Sequence, residues 1–181
     1  MGILFPSQRF PKLQTGRLVL RELTLADNKQ LLTIRSNADI NRFIGRSNKQ
    51  TIEAVNQFIQ DRKSDAQNGK GVYWAIELKD NPGLIGTICF WNVDYNTTTA
   101  EIGYELLPPH QGKGIMREAI ETVISFGFND MHLETITACP MPQNERSVKL
   151  LEHNGFTYTE TLDEQLVYQI NKAMWQKNNR R

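Results

Sequence analysis

Hydrophobic and polar positions change their period several times along the chain, and each change predicts a new element. Alternation from Arg17 to Arg21 predicts a strand, and a helical segment follows from Thr24. Apolar residues on one face predict a longer helix from Thr51 to Asn68. Three strand-like runs separated by turn-forming residues come next: Val72–Leu78, Leu84–Tyr95 and Ala100–Leu107. Their short connections predict an antiparallel meander.

The second half of the chain opens with the clearest amphipathic pattern, which predicts a helix from Met116 to Phe128. A short strand, a further helix and two closing strands are predicted after it: Leu133–Cys139, Asn144–His153, Phe156–Thr161 and Glu164–Ile170. The tail from Lys172 to Arg181 is polar, and we expect it to be frayed. Strands and helices mixed in this order, with a meander in the middle, indicate an α+β protein.

Composition narrows the function classes. The chain has 181 residues and a formal net charge of +1, which gives no basic footprint for a phosphate backbone. Its length suits a single domain covering residues 1–181. Cys89 and Cys139 are too far apart in sequence for a CxxC site, and we expect two free thiols. Met1–Pro6 has no signal-peptide pattern and no apolar run is long enough for a membrane span, so we expect a cytoplasmic protein.

The segment from Pro108 to Met116 carries the most informative chemistry. It joins a predicted strand to the strongest helix and contains Gly112 and Gly114, which allow positive φ and close approach of a ligand. The following helix adds unpaired N–H groups and the positive end of its dipole, which together favour a phosphate. A Walker A loop is excluded because Gly114 follows Lys113. A tight strand-to-helix turn without a ligand is the alternative interpretation.

Four motifs in order resemble one family. Gln111-x-x-Gly114-x-Met116 resembles the Q/R-x-x-G-x-G/A pyrophosphate loop of the GNAT superfamily of acetyl-CoA-dependent N-acetyltransferases, with Met116 in place of Gly or Ala. The segments Thr15–Arg21 and Ala100–Tyr104 resemble the T-x-R-L-x-L-R opening and the A-E-I-G-Y strand of its RimJ/RimL-like branch of ribosomal-protein N-terminal acetyltransferases. Asn144–Phe156 resembles the N-x-x-S-x-x-L-L-E-x-x-G-F helix and turn of the same branch.

The resemblance covers about residues 15–170 and implies a fold and a cosubstrate. The implied fold is α+β, with a mixed, mostly antiparallel central sheet of about seven strands flanked by about four helices. The implied cosubstrate is acetyl-CoA, and no metal is expected. The cofactor-binding residues that the resemblance implies are Leu106, Leu107, Gln111, Gly112, Lys113, Gly114, Ile115, Met116 and Asn144.

Amine acetylation requires that the ammonium lose a proton, that the thioester be polarised and that the thiolate leave. Glu101 heads the strand before the loop, where the superfamily often places its general base, although a solvated strand residue is the alternative. A backbone N–H near Leu106 or Leu107 is implied as the oxyanion donor. Many members protonate the thiolate with a Tyr where this chain has Leu151, so Ser147 is the implied substitute, or else an ordinary helix residue.

The identity of the amine acceptor is the aspect of the function that the sequence determines least. The early helices with their joining loop and the last hairpin are the segments expected to select it. They contain no dense acidic cluster, which favours a protein or peptide N-terminal α-amine over a polyamine or aminoglycoside. Small-molecule amine acetylation and a non-catalytic acyl-CoA-binding regulator remain alternatives. We expect no direct nucleic-acid or membrane partner, and a homodimer is compatible with the fold.

Overall fold

The computed structural model describes residues 10–179, so the predictions for Met1–Pro6 and for the end of the tail lie outside the described residues. The strands are β1 (Leu13–Gln14), β2 (Leu18–Glu22), β3 (Val72–Leu78), β4 (Gly86–Asp94), β5 (Thr99–Leu106), β6 (Thr135–Ala138), β7 (Thr157–Leu162) and β8 (Gln165–Asn171). The α-helices are α1 (Asn28–Arg35), α2 (Ala38–Asn41), α3 (Ile52–Gln67), α4 (Ile115–Asn129), α5 (Glu145–His153) and α6 (Lys172–Asn179).

All the strands belong to one sheet, in the order β1-β2-β3-β4-β5-β6-β8-β7. Neighbouring strands run antiparallel except β5 and β6, which run parallel. The meander of β3, β4 and β5 and the mixed, mostly antiparallel sheet are therefore confirmed. The described residues form eight strands and six α-helices because β1, α2 and α6, which were not predicted, add to the expected elements.

The sheet separates two apolar layers, and successive side chains of β3 point alternately into one layer and the other. Trp74 and Ile76 pack in one layer with the buried face of α4, while Ala75 packs in the other with α1 and α3. The amphipathic helix predicted from Met116 to Phe128 is confirmed as α4, whose apolar side is buried in the larger layer. Among residues 10–179, no helix has both the length and the apolar character that crossing a bilayer requires.

The expectation of a frayed tail is wrong for Lys172–Asn179, which forms α6. The Asn171 side chain accepts a hydrogen bond from the Met174 backbone N–H at 2.8 Å and so caps its first turn. Trp175 then packs on Phe128 of α4, with ring centroids 5.4 Å apart. Since a single large side chain anchors this short helix, hydrophobic periodicity gave no signal for it.

A buried ion pair ties the connection between α2 and α3 to β5. The Arg46 Nη2 atom lies 2.7 Å from Glu105 Oε2, and the two side chains are only 13% and 5% exposed. The Thr87 hydroxyl donates to the other Glu105 oxygen at 3.3 Å. Arg46 Nε also donates to Asn41 Oδ1 at 2.9 Å, which joins α2 to the same network. Both charges therefore keep hydrogen-bond partners after losing water.

We expect Arg46→Met to destabilise the fold by about 3–5 kcal/mol, because it leaves a buried carboxylate without its counter-charge. Urea unfolding at neutral pH measures this free energy. The double variant Arg46→Met/Glu105→Gln should recover much of the loss, since the carboxamide is neutral. Equal stability of the single and double variants would show that the Glu105 charge does not depend on Arg46.

Candidate functional site

The central feature of the site is a gap between β5 and β6. These parallel strands pair only over Thr99–Glu101 and Thr135–Thr137, as indicated by the register Thr99↔Thr135 to Glu101↔Thr137. The strand β5 continues to Leu106, but β6 ends at Ala138, and no other described strand pairs with β5 on that side. Part of the β5 backbone therefore faces a gap that a ligand can enter.

The backbone hydrogen-bonding groups of β5 point alternately to its two sides, and this alternation identifies the groups that face the gap. The Leu107 N–H donates to Ile85 O at 2.9 Å, toward β4. Successive residues of a strand direct their polar groups to opposite sides, so the N–H groups of Tyr104 and Leu106 point toward the gap. The Leu107 carbonyl also has a partner, the His110 N–H at 2.9 Å. Of the two candidate oxyanion donors, the structure thus makes Leu106 available and leaves Leu107 occupied.

The glycine loop adopts the conformation that its sequence predicts. Gly112 and Gly114 have φ values of 72° and 73°, in the left-handed region that glycine tolerates without strain. Gly114 is the N-cap of α4 and offers no side-chain cap, so the first N–H groups of the helix remain open to an anion. The Ile115 and Met116 side chains are buried in the core. At the loop, these two residues can therefore offer a ligand only their backbone groups, and the Met116 N–H is the same group that Gly or Ala would present there.

Two other residues predicted to bind the cofactor hold the loop in place. Gln111 Nε2 donates to Leu106 O at 2.8 Å, and Gln111 Oε1 accepts from Arg146 Nη1 at 3.1 Å. The Gln111 side chain therefore connects β5, the loop and α5 rather than standing free. The Lys113 side chain is exposed, while its carbonyl accepts a hydrogen bond from Arg17 at 3.0 Å.

Glu101 lies where the pairing of β5 and β6 ends, opposite Trp91 of β4 and Thr137 of β6. Burial raises the pKa of the Glu101 carboxyl above its ordinary value, and a hydrogen bond from Asn92 Nδ2 at 3.2 Å partly opposes this effect. A carboxylate with a raised pKa is a stronger base near neutral pH. The geometry thus suits Glu101 for proton abstraction.

Asn92 is a residue that the sequence patterns did not identify. A register shift between Trp91 and Asp94 forms a β-bulge in β4, and Asn92 lies in it with a φ of 47°. Asn is one of the few residues other than Gly that accept this conformation. Its side chain is thereby directed to Glu101. Because the bulge lies in β4, the β5 positions 101 to 105 keep regular alternation, and Glu101 shares a face with Glu105.

On the opposite face of β5, the Tyr104 hydroxyl lies 2.7 Å from the Ser147 hydroxyl of α5. The sequence patterns gave no signal for this polar contact, because the two residues are 43 positions apart. Burial raises the pKa of Tyr104 to about 12, which keeps the phenol protonated. The Asn144 side chain accepts from the Ser147 N–H at 3.3 Å, so Asn144 is the N-cap of α5. Leu151, where many superfamily members have Tyr, is fully buried.

Two separate thiols and an exposed indole also lie near Glu101. Cys89 and Cys139 are free, as expected. Burial raises the pKa of Cys89 to about 12 and also raises that of Cys139, so both are protonated at neutral pH and neither is poised as a nucleophile. Trp91 is 45% exposed and lies against Gly103, which provides an apolar surface beside Glu101.

Comparison with known proteins agrees with this geometry. Residues 17–157 match the family described as Acetyltransferase (GNAT) domain. An uncharacterised N-acetyltransferase of Bacillus subtilis (strain 168), YoaA, is 38% identical over 147 residues, which is 81% of this chain and 83% of that protein.

Two solved structures share the fold. Mycobacterium smegmatis RimJ in complex with CoA-disulfide superposes with a TM-score of 0.78 at 22% identity, covering 86% of this chain and 82% of that one. Spermidine N-acetyltransferase from Vibrio cholerae, in complex with CoA and spermine, gives a TM-score of 0.78 at 20% identity and covers 90% and 99%. The gap, the glycine loop and the extent of the family match lead to one conclusion: the chain belongs to the GNAT family of N-acetyltransferases, enzymes whose acetyl donor is acetyl-CoA.

Proposed function

We propose that this protein transfers an acetyl group from acetyl-CoA to the N-terminal α-amine of a protein or peptide, within a single domain whose core spans residues 15–170. The observation that carries this proposal is the place of Glu101 at the closed end of the gap. Its partly buried carboxyl lies on one face of β5, and the Ser147 hydroxyl lies on the other. A thioester in the gap would be reached by a base and a proton donor from opposite sides.

The position proposed for acetyl-CoA is based on the backbone groups that have no partner among the described residues of the protein. The pantetheine arm extends along β5 beside Tyr104 and Leu106, and Asn144 at the start of α5 lies near its amides. The diphosphate binds the N–H groups from Gly112 to Met116, where the positive end of the α4 dipole favours negative charge. The Leu106 N–H, which faces the gap, donates to the thioester oxygen as it becomes an oxyanion.

Glu101 acts as the general base. It accepts a proton from the substrate ammonium, directly or through a water, and releases a neutral amine. The amine nitrogen attacks the thioester carbonyl carbon and forms a tetrahedral intermediate. When that intermediate collapses, the C–S bond breaks and the thiolate leaves with the electron pair. The nitrogen, which carries an extra proton after the attack, gives that proton to water or to the departing sulfur, so the products are the neutral amide and the CoA thiol. Because both thiols near the gap are protonated, direct attack is favoured over an acetyl-cysteine intermediate.

Ser147 donates the hydrogen bond that stabilises the leaving thiolate. The Tyr104 and Ser147 hydroxyls lie 2.7 Å apart and either can be the donor; the role of Ser147 requires that the phenol donate to Ser147 Oγ, which leaves the Ser147 proton free to point at sulfur. This arrangement replaces the Tyr that many superfamily members carry at the position of Leu151. The phenol is the more acidic of the two hydroxyls. If Ser147 gives its proton to the sulfur, Tyr104 can therefore pass its own proton to Ser147 Oγ.

The acceptor assignment rests on charge. The connection between α2 and α3 carries Arg42 and Arg46, and the acid that faces it, Glu105, is neutralised by Arg46. A polyamine would favour surplus carboxylates in this place. RimJ and a spermidine N-acetyltransferase superpose equally well, however, so small-molecule amine acetylation is the second candidate.

Free-thiol release from acetyl-CoA across a panel of acceptors tests the function. The panel contains peptides that begin with Ser, Ala or Met, together with polyamines, aminoglycosides and amino acids. We expect release above the no-acceptor rate with a peptide class. Release only with polyamines or aminoglycosides would support the second candidate. If no acceptor works while acetyl-CoA still raises the melting temperature, a non-catalytic acyl-CoA-binding regulator becomes the better interpretation.

Glu101→Gln is expected to abolish turnover and leave acetyl-CoA affinity nearly unchanged, because only the base is lost. In the wild type, kcat/KM should fall as pH decreases through the Glu101 pKa, which burial holds above the ordinary glutamate value. Glu105→Gln is the matched control, since it removes the other carboxylate on the same strand face and should retain turnover while folded. Equal turnover of wild type and Glu101→Gln would refute the assignment of the base.

Gly114→Val should weaken acetyl-CoA binding by at least about tenfold, or 1.4 kcal/mol, because an added Cβ would meet Arg17 Nη2 at 3.4 Å and disturb the loop that is proposed to bind the diphosphate. Backbone strain is a second effect of this change, since Gly114 has positive φ. Gly45→Val controls for strain: its φ is 68°, and an added Cβ would meet nothing within 4 Å. Both variants should lose stability in calorimetry, but only Gly114→Val should lose affinity. Unchanged affinity in Gly114→Val would mean that the loop does not bind the cosubstrate.

A further inference from the structure

The segment between β1 and β2 contacts the glycine loop from about a hundred residues away in sequence. Arg17 Nη1 donates to Lys113 O at 3.0 Å, and Arg17 Nε donates to Glu118 Oε2 at 2.7 Å. The Arg17 backbone N–H also donates to Glu118 Oε1 at 2.9 Å, and the Thr15 hydroxyl contacts the same oxygen. One arginine therefore binds both the last peptide of the loop and the first turn of α4.

This contact fixes which way one peptide group of the loop faces. In a trans peptide the C=O and the following N–H point in opposite directions. The Lys113 carbonyl points at Arg17, so the Gly114 N–H points away from Arg17. The first N–H groups of α4, which follow Gly114, have no side-chain cap, and the diphosphate is proposed to bind them together with the Gly114 N–H.

The charges of the pair nearly cancel, so Arg17 is not a free cation for a phosphate. Partial burial opposes ionisation of Glu118, but the hydrogen bonds from Thr15 and Arg17 outweigh it and lower its pKa. Glu118 is therefore ionised at neutral pH and stands in the first turn of the helix that should receive an anion. Without its partner, this carboxylate would repel the diphosphate.

We propose that Arg17 is a positioning residue for the diphosphate of acetyl-CoA: it orients the Lys113–Gly114 peptide and neutralises Glu118. This inference rests on the proposed binding of the diphosphate by the loop. It also gives a role to the first arginine of the T-x-R-L-x-L-R motif. The second, Arg21, pairs instead with Asp27 at 2.7 Å and Glu77 at 2.6 Å and makes no described contact with the loop.

The test compares Arg17→Lys with Arg21→Lys, the same substitution at two arginines of one motif. Lysine keeps the charge but cannot hold Lys113 O and Glu118 in one planar fork. Calorimetry measures the Kd of acetyl-CoA and of its 3′-dephospho form, which keeps the diphosphate. We expect Arg17→Lys to weaken both ligands about tenfold, or 1.4 kcal/mol, with little change in melting temperature. Arg21→Lys should lower the melting temperature and leave both Kd values unchanged.

Three results would overturn the proposal. Wild-type affinity in Arg17→Lys would show that the guanidinium geometry is not needed. A loss confined to acetyl-CoA, absent with the 3′-dephospho form, would mean that Arg17 binds the 3′-phosphate directly. Equal weakening by Arg21→Lys would indicate a general effect on folding. If the Arg17 variants do not fold, Thr15→Val removes one contact to Glu118 and should weaken both ligands in the same way, by a smaller factor.

Failure of the proposed function is distinguishable from these outcomes. If Gly114→Val binds acetyl-CoA as tightly as the wild type, the loop is not the diphosphate site and the role of Arg17 falls with it. If Gly114→Val weakens binding while Arg17→Lys does not, the loop assignment holds and only the positioning role is refuted.

Discussion

The short pairing between β5 and β6 is the constraint on which the rest of the structure depends. Where two parallel strands separate, their backbone N–H and C=O groups lose their partners. Leaving these groups unpaired inside a protein is costly unless other groups replace the lost hydrogen bonds. Here the separation begins after Glu101 and Thr137, and the chain responds locally. Gln111 takes the Leu106 carbonyl, and the N–H groups that still face the gap become the means of holding a ligand. The unpaired part of β5 is therefore where we propose that acetyl-CoA binds, and the gap is closed at one end by the pairing of Glu101 with Thr137.

The site is assembled from both faces of one strand. Alternation places Glu101 and Glu105 on one face of β5 and Tyr104 on the other. Glu101, the proposed base, is thus separated from the Tyr104–Ser147 hydroxyl pair by the strand itself, and a ligand in the gap would be reached by both. The two acids of the strand have different surroundings. Glu105 is held by a cation, whereas Glu101 has only a neutral amide partner and a raised pKa.

Local patterns were sufficient for most of the elements and for the conformation of the glycine loop, because periodicity and glycine conformations are encoded within a few residues; β1, α2 and α6 were not predicted. They were insufficient where a contact joins distant segments. Tyr104 and Ser147 are 43 residues apart, and Arg46 and Glu105 are 59 apart, so neither pair could be inferred from spacing. Asn92 depends on a bulge whose register is decided by the neighbouring strand. The helix α6 is anchored by the packing of Trp175 on Phe128, and no amphipathic pattern in the sequence predicts this contact.

The Arg46–Glu105 pair has a consequence for how an acceptor is chosen. Moving the connection between α2 and α3 away from the sheet would separate two desolvated charges, an expensive step in a low-dielectric setting. This connection is therefore held against β5. The hairpin of β7 and β8 differs, since β7 is exposed along its whole length. If these two segments select the acceptor, as the sequence leads us to expect, evolution could change the preferred amine by substitutions in the hairpin that leave both the ion pair and Glu101 intact.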